Sequence, residues 1–172
     1  MPLRVWAEAY KRGLARGVGF CNLNEAQLEA AKAVLDRHRV PLLALQVGYS
    51  LLRRGAEALL PALRREGIAL TAYSSLAMGW LTGKLDPKNP PRDYRGRKYR
   101  QDLARLPRLL GELRALAGAK GVPVGAVALR YLVEKGALPI PGAKNEAQAR
   151  MNAEALAFRL SPEEVARLEA AS

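Results

Sequence analysis

Short apolar runs alternate with helix-patterned segments along this chain, and this alternation is the feature that most constrains its fold. Each run is too short for a helix and is followed by apolar residues at helical spacing. The runs cover residues 16–20, 42–47, 68–72 and 138–141. Strands that alternate with helices pair in parallel through right-handed crossovers. The sequence therefore predicts an α/β fold of four βα units, preceded by a helix over residues 4–15 and followed by a C-terminal helix.

Capping residues mark the starts of three helices. Asn24, Asn145 and Ser161 are each followed three residues later by Gln or Glu, which is the spacing of a capping box. Pro107 lies where a helix over residues 103–113 would either begin or be kinked.

Composition predicts one folded domain over residues 1–172. The chain is 49% hydrophobic, enough to bury a core at this length. Cys21 is the only cysteine and His38 the only histidine, which excludes an internal disulfide, a cysteine cage for a metal and a multi-histidine site. No apolar run approaches the roughly 18 residues of a membrane span, and the first residues lack a leader pattern. We expect a cytoplasmic protein without a membrane segment.

Four parallel strands can form half of a barrel or a small open sheet. An open nucleotide-binding sheet needs a glycine-rich loop after its first strand. Gly17 and Gly19 instead lie inside the predicted strand, without a third glycine, and the chain has no GxxxxGK[ST] phosphate loop. The half-barrel is therefore favoured.

Four motifs in this order carry a family resemblance. They are GVGFCNL at residues 17–23, LQVGYSLL at 45–52, AYSSLAMGWLTGK at 72–84 and PIPGAKN at 139–145. Together they resemble strands 5 to 8, with their following loops, of the (β/α)8 barrel of the aldo-keto reductases. The resemblance runs from about residue 4 to the end. A complete barrel needs roughly 250 residues, so the resemblance implies the C-terminal half of an NADPH-dependent reductase of aldehydes or ketones.

The resemblance implies a set of cofactor-binding residues. Asn22 and Gln46 would bind the nicotinamide carboxamide, because an amide offers both a donor and an acceptor, and Tyr73 would stack on the nicotinamide ring. The alternatives are strand-end hydrogen bonds for the two amides and a core position for Tyr73. The remaining implied contacts are Ser74, Leu76, Gly79 and Leu81 with Lys84 at the pyrophosphate, Gly142, Lys144 and Asn145 at the 2′-phosphate loop, and Gln148 and Asn152 at the adenine. Asn145 and Gln148 have helix capping as their alternative.

The chain departs from the family pattern in three ways. Cys21 stands where the family usually has serine, and Met151 where it often has glutamate. The family's catalytic aspartate, tyrosine, lysine and histidine belong to the first half of the barrel, and no position here matches them. Tyr49 belongs to the strand 6 motif and is not assigned as a proton donor. We therefore predict no catalytic residue in this chain and little activity alone.

The net charge of +12 includes one dense basic stretch, RDYRGRKYR at residues 92–100. Tyrosines between cations can stack on bases and hold phosphates. We favour a solvated loop, or one that contacts the cofactor phosphates, over a nucleic-acid site.

Three hypotheses remain open. In the first, the chain is one half of a reductase that needs a first half-barrel. In the second it is a half-barrel that pairs with itself, and in the third it is a phosphate- or nucleic-acid-binding module. Self-association is expected because the terminal strands would be exposed sheet edges. It is also expected because the inward strand faces of a half-barrel, with residues such as Leu43, Leu45 and Val47, would lack a covering partner.

Overall fold

The computed structural model describes residues 3–172, in which strands and helices alternate as predicted. The helices are α1 (Leu3–Lys11), α2 (Glu25–Arg37), α3 (Leu60–Arg65), α4 (Tyr94–Lys98), α5 (Leu106–Lys120), α6 (Val124–Glu134), α7 (Glu146–Glu154) and α8 (Pro162–Ala171). Short 3₁₀ helices cover Gly55–Leu59, Ala77–Thr82 and Arg100–Asp102.

Four strands form one parallel sheet. They are β1 (Val18–Cys21), β2 (Leu42–Gly48), β3 (Ala69–Tyr73) and β4 (Ala137–Pro139). Their spatial order follows the chain, so β1 and β4 are the two edges. The predicted α/β fold with four βα units is confirmed.

Contacts divide the described chain into two compact units. The first contains the residues up to Val47 together with Ala56–Thr71, and the second contains Gly48–Gly55 with Ala72–Ser172. The core of the first unit includes Ala7, Val18, Leu35 and Val40. In the second, Ala126, Leu129 and Ala155 form a core cluster. The largest fully buried side chains of this unit include Trp80, Tyr49, Tyr99 and Tyr131. The expectation of a single domain over residues 1–172 stays a prediction.

The helix starts follow the predicted capping chemistry in two of three cases. Asn24 and Ser161 form reciprocal capping boxes with Gln27 and Glu164. Asn145 accepts a hydrogen bond from the Gln148 N–H, but the Gln148 side chain accepts from the Lys144 N–H instead of closing the box.

Pro107 lies in the first turn of α5, where its missing N–H breaks no intrahelical hydrogen bond, so it begins the helix and does not kink it.

The assignment of Leu45 and Val47 to an uncovered face is wrong. Both are buried, whereas the alternate residues Ala44, Gln46 and Gly48 are partly exposed. Side chains along a strand point alternately to opposite faces, so the face that carries Leu45 and Val47 is the covered one. Leu43, near the start of β2, is exposed as expected.

No single helix among residues 3–172 is long and apolar enough to cross a membrane. Helices α5 and α6 meet the length and hydropathy requirement only when taken together, and they are bent by 96° at the break between them.

Candidate functional site

The loop after β3 has a strained backbone. Ser74, Ala77 and Met78 have φ values of 53°, 49° and 56°, a region that residues with a Cβ rarely enter. Backbone hydrogen bonds hold this conformation, including one of 2.7 Å from the Ala77 N–H to the Ser74 carbonyl. Strain of this kind persists where the surroundings enforce it, and it concentrates at ligand-binding sites.

The loop after β4 is fixed at both ends. The Ile140 N–H donates to the Ala72 carbonyl at 3.0 Å, which ties the end of β4 to β3. The Lys144 N–H donates to Oε1 of Gln148 at 2.8 Å, so the first turn of α7 holds the other end. The loop thus ends at a helix N-terminus, where free N–H groups favour anions.

A cavity of about 600 Å³ lies between these two loops in the second unit. This volume is within the range of small-molecule and cofactor sites. The cavity is lined by Ser74, Ser75, Leu76, Met78, Gly79, Thr82, Lys84, Leu85, Arg95, Ile140, Pro141, Gly142, Ala143, Lys144, Gln148 and Met151.

The charges on the cavity wall are all positive. Lys84, Arg95 and Lys144 line it, and no carboxylate does. Arg95 pairs with Asp93 outside the lining, through bonds of 2.9 Å from Nε and 2.8 Å from Nη2 to the same carboxylate oxygen. The Arg95 guanidinium holds the pKa of the Asp93 carboxyl below its usual value. A cavity with this charge distribution suits a polyanionic ligand.

Polar groups in the wall also fit a phosphate-bearing cofactor. The Ser75 side chain is buried, and its Oγ has no hydrogen-bond partner among the described residues. Buried hydroxyls are normally satisfied, so an unpaired one in a cavity wall is compatible with a ligand acceptor. Open space faces the Cα of Gly142, where an added Cβ would meet no atom within 4 Å.

The structure brings many of the predicted cofactor-binding residues together. Those that line the cavity are Ser74, Leu76, Gly79, Lys84, Gly142, Lys144 and Gln148. Leu81 is fully buried and does not line the cavity. Asn145 caps α7, and Asn152 donates from Nδ2 to the Gly142 carbonyl at 3.4 Å.

Tyr73 does not line the cavity but contacts the end of β2. A Cβ added at Gly48 would lie 3.2 Å from Cζ of the Tyr73 ring, so the absence of a side chain at Gly48 makes room for this ring. Tyr73 is itself partly buried.

Asn22 and Gln46 lie together in the first unit, at the ends of adjacent strands. The Asn22 N–H donates to the Gln46 carbonyl at 2.8 Å, and Asn22 has a φ of 57°. The Cys21 thiol donates to Oε1 of Gln46 at 3.3 Å, so the residue that replaces serine orients this amide.

The predicted contacts do not include Ser75, Met78 and Thr82 of the cavity wall, and Met151 was named only as a departure from the family pattern. Arg95 was predicted only as part of the basic stretch, for which contact with the cofactor phosphates was one of two favoured interpretations. Its signal in the sequence is Asp93 two residues earlier, a helix-capping residue next to a cation. Among residues 3–172 no cluster of three His, Cys, Asp or Glu side chains could hold a metal ion.

Solved structures establish the class of fold. The chain superposes on the glycerol dehydrogenase AKR11B4 of Gluconobacter oxydans with a TM-score of 0.85 and 24% identity, covering 98% of this chain and 52% of that one. It also superposes on the thermostable aldo-keto reductase Tm1743 with a TM-score of 0.74 and 24% identity, covering 99% and 53%. The fold is that of part of a (β/α) barrel enzyme.

Sequence comparison then gives the family. The profile of the Aldo/keto reductase family matches residues 3–172. The chloroplastic pyridoxal reductase of Arabidopsis thaliana is 36% identical over 167 residues, which are 96% of this chain and 46% of that protein. An uncharacterized oxidoreductase of Mycobacterium bovis is 34% identical over 83% of this chain and 45% of its own length. The chain belongs to the aldo/keto reductase family and spans about half the length of these relatives.

Proposed function

We propose that this chain is the cofactor-binding half of an NADPH-dependent carbonyl reductase and binds NADPH in the cavity between the loops after β3 and β4. The observation that carries the proposal is the presence of Lys84, Arg95 and Lys144 in the wall of one cavity whose described lining residues include no carboxylate, with Arg95 paired to Asp93 beside the wall. NADPH is a polyanion of matching chemistry, and charge-assisted hydrogen bonds to phosphate are among the strong contacts in proteins.

Each end of the cofactor has proposed partners. The strained loop with Ser74 and Gly79 would bind the pyrophosphate through its backbone N–H groups. Lys144, at the start of α7, would pair with the 2′-phosphate. Bound NADPH supplies the hydride, and the chain supplies binding and orientation.

Nicotinamide contacts are proposed for each unit by itself. In the second unit, Tyr73 is partly exposed beside Gly48 and would stack on the nicotinamide. In the first unit, the side-chain amides of Asn22 and Gln46 would hold the carboxamide, with the Cys21 thiol fixing that of Gln46.

Catalysis is proposed to need the residues of a first half-barrel. Reduction of a carbonyl requires an acid to protonate the developing alkoxide, and no residue here matches the family's proton donor. A first half-barrel would supply that acid and part of the pocket for a small carbonyl substrate. The exposed edge of the sheet supports docking of a further half-barrel, because Leu138 of β4 and Ile140, which follows the strand, are 56% and 45% exposed.

The same exposed edge supports a second candidate, a half-barrel that pairs with a copy of itself. Nucleic-acid binding has less support from the structure. The Tyr99 ring of the basic stretch is buried, and the Arg53 guanidinium lies 5.6 Å from its centre, so this ring is already covered.

The test is a titration of the purified chain with NADPH, followed by fluorescence or calorimetry. Gly142→Trp would place an indole in the cavity, since open space faces this residue. We expect binding in the wild type and its loss in this variant. Gly118→Trp is the matched control, because Gly118 lies on the exposed side of α5 with equally open surroundings. Absence of binding to the wild type, or equal binding by Gly142→Trp, would refute the proposal.

A further inference from the structure

We propose that Asp102 is a positioning residue, which holds the segment carrying Arg95 against the cavity. This inference rests on the proposed function, because the ligand that Arg95 would meet is the NADPH proposed above.

The segment around Arg95 has little regular structure of its own. Helix α4 has five residues and the following 3₁₀ helix has three. Helices of this length are not stable in isolation, so tertiary contacts must fix the segment.

One set of contacts fixes the start of α4. The buried Trp80 indole donates from Nε1 to the Arg95 carbonyl at 3.3 Å. A Cβ at Gly96 would lie 1.8 Å from the Pro91 carbonyl oxygen, so the backbones meet here without room for a side chain. These contacts locate the Arg95 backbone but do not reach the end of the segment.

An ionic cluster around the buried Asp102 carboxylate fixes the end. The Asp102 side chain is 3% exposed, and Nη2 of Arg105 donates to its Oδ1 at 2.6 Å. Nη2 of Arg53 lies 2.9 Å from its Oδ2 as an ion pair without hydrogen-bond geometry. Arg105 also donates from Nη2 to the Leu52 carbonyl at 2.6 Å. A carboxylate at this depth is stable only when paired, and removing one partner of such a cluster leaves buried charge without compensation.

Arg53 joins the cluster to the turn after β2. It lies 5.6 Å from the centre of the Tyr99 ring and forms a short antiparallel bridge with Ser50. The Tyr99 hydroxyl is also buried, and this burial raises its pKa. The same stretch begins at Gly48, against which the Tyr73 ring packs. The cluster therefore connects the Arg95 segment to the turn that contacts Tyr73.

A double-mutant cycle tests the positioning role through NADPH affinity. Arg95→Gln in the wild type should weaken NADPH binding about tenfold, as expected for loss of a charge-assisted contact. In an Asp102→Asn background the same substitution should change affinity less than about twofold, because Arg95 is no longer held at the cavity. A merely structural role would leave the Arg95→Gln effect intact.

The control background is Glu112→Gln, which removes the same charge from an ion pair of the same unit. Glu112 pairs with Arg167 at 2.6 Å and contacts no residue of the Arg95 segment in that pair. The tenfold effect of Arg95→Gln should persist there. If Asp102→Asn fails to fold by circular dichroism, Arg53→Gln replaces it, since the Arg53 side chain is 46% exposed.

The outcomes separate this inference from the proposed function. Wild-type protein that binds no NADPH would overturn both. Wild-type binding with an Arg95→Gln effect of equal size in both backgrounds would overturn the positioning role alone. An Arg95→Gln variant with wild-type affinity would also overturn it, while leaving the cavity as the binding site.

Discussion

At the scale of single residues, the cavity combines backbone strain with positive charge. The loop after β3 places Ser74, Ala77 and Met78 at positive φ. Each such residue costs on the order of 1–3 kcal/mol, which surrounding contacts must offset. This cost is consistent with a loop shaped for a ligand.

Lys144 is expected to set the choice between cofactors. It lines the cavity at the start of α7, where its ammonium can pair with a 2′-phosphate that NADH lacks. The wild type should bind NADPH roughly ten- to a hundredfold more tightly than NADH, because one charge-assisted contact contributes about that much affinity. Lys144→Ala should narrow this ratio in parallel titrations.

Lys88→Ala is the matched control for that experiment. Lys88 lies in the second unit and is exposed, but it does not line the cavity. The NADPH to NADH ratio should stay at its wild-type value in this variant. Equal affinities in the wild type, or a ratio unchanged by Lys144→Ala, would refute the role of Lys144.

Tyr73 is expected to affect both cofactors alike. Its proposed stacking partner, the nicotinamide, is common to NADPH and NADH. Tyr73→Ala should weaken the binding of both cofactors by about 0.5–1.5 kcal/mol, the order of an aromatic stacking contact. Tyr73→Phe keeps the ring and should bind like the wild type. A loss confined to one cofactor would contradict the assignment.

At the scale of elements, the partly buried Glu134 carboxylate anchors the end of α6. It accepts hydrogen bonds from the Leu160 N–H at 3.0 Å and from Nε of Arg130 at 2.8 Å. Burial acts to raise the pKa of Glu134, but the Leu160 and Arg130 hydrogen bonds outweigh it, so the pKa is lowered. The Arg130 pair lies within α6, whereas the Leu160 hydrogen bond ties α6 to the chain that enters α8.

A lowered folded-state pKa gives Glu134 a defined effect on acid stability. Its contribution should be complete above the unfolded value of about 4.3 and lost as the pH falls through the lower folded value. Glu134→Gln should reduce the free energy of unfolding at pH 7 by about 1.5–3 kcal/mol, the order of hydrogen bonds to a charged group. The difference from wild type should shrink below about pH 4 in denaturant titrations.

Glu146→Gln provides the comparison for an exposed pair. Glu146 and Arg150 form an i,i+4 ion pair in which both side chains are 76% exposed. Its loss should cost no more than about 0.5 kcal/mol. If Glu134→Gln lowered the free energy of unfolding no more than Glu146→Gln does, the Arg130–Glu134 pair would not stabilise the fold.

Local chemistry explains which elements could be predicted from the sequence. Hydrophobic periodicity located the four strands, and the Asn24 and Ser161 capping boxes depend only on residues three apart. The faces of β2 could not be assigned from alternation alone, because alternation separates two faces without saying which one helices cover. Leu45 and Val47 were misassigned for this reason.

The same limit applies to the candidate site. The loops after β3 and β4 were recognised from contiguous motifs, and most of their predicted residues line the cavity. The Asp102 cluster includes a contact between distant segments, Arg53 with Asp102, which no spacing in the sequence encodes. The Asp93–Arg95 pair is local, but its spacing does not show that Arg95 lies at the cavity.

At the scale of the whole molecule, an exposed edge strand predicts self-association. Leu138 of β4 is 56% exposed on an edge that lacks a neighbouring strand within residues 3–172. The purified chain should sediment as a dimer or larger species at micromolar concentration. Leu138→Lys should shift it toward monomer, whereas Leu156→Lys should not, because Leu156 is exposed beyond α7 and outside the sheet. A stable, folded wild-type monomer would contradict this prediction.

Activity is expected only after complementation. The chain alone should oxidise little or no NADPH with a generic aldehyde, because it lacks an evident proton donor. Co-expression with the first half-barrel of a relative should restore turnover and convert the self-associated species into a one-to-one complex. Substantial turnover by the chain alone, lost on substitution of one of its own residues, would contradict the expectation.

The partly open face of the first unit includes several small side chains. Gly19 and Ala44 are paired in register on adjacent strands, and Ala69 and Thr71 continue the same kind of surface on β3. The interior of a (β/α)8 barrel is filled by layers of side chains from all its strands, so small residues on one side require bulky ones opposite. Any sequence that completes this half must therefore supply the missing interior volume. Candidate partners can be ranked by the summed size of their inward-facing residues before any is tested.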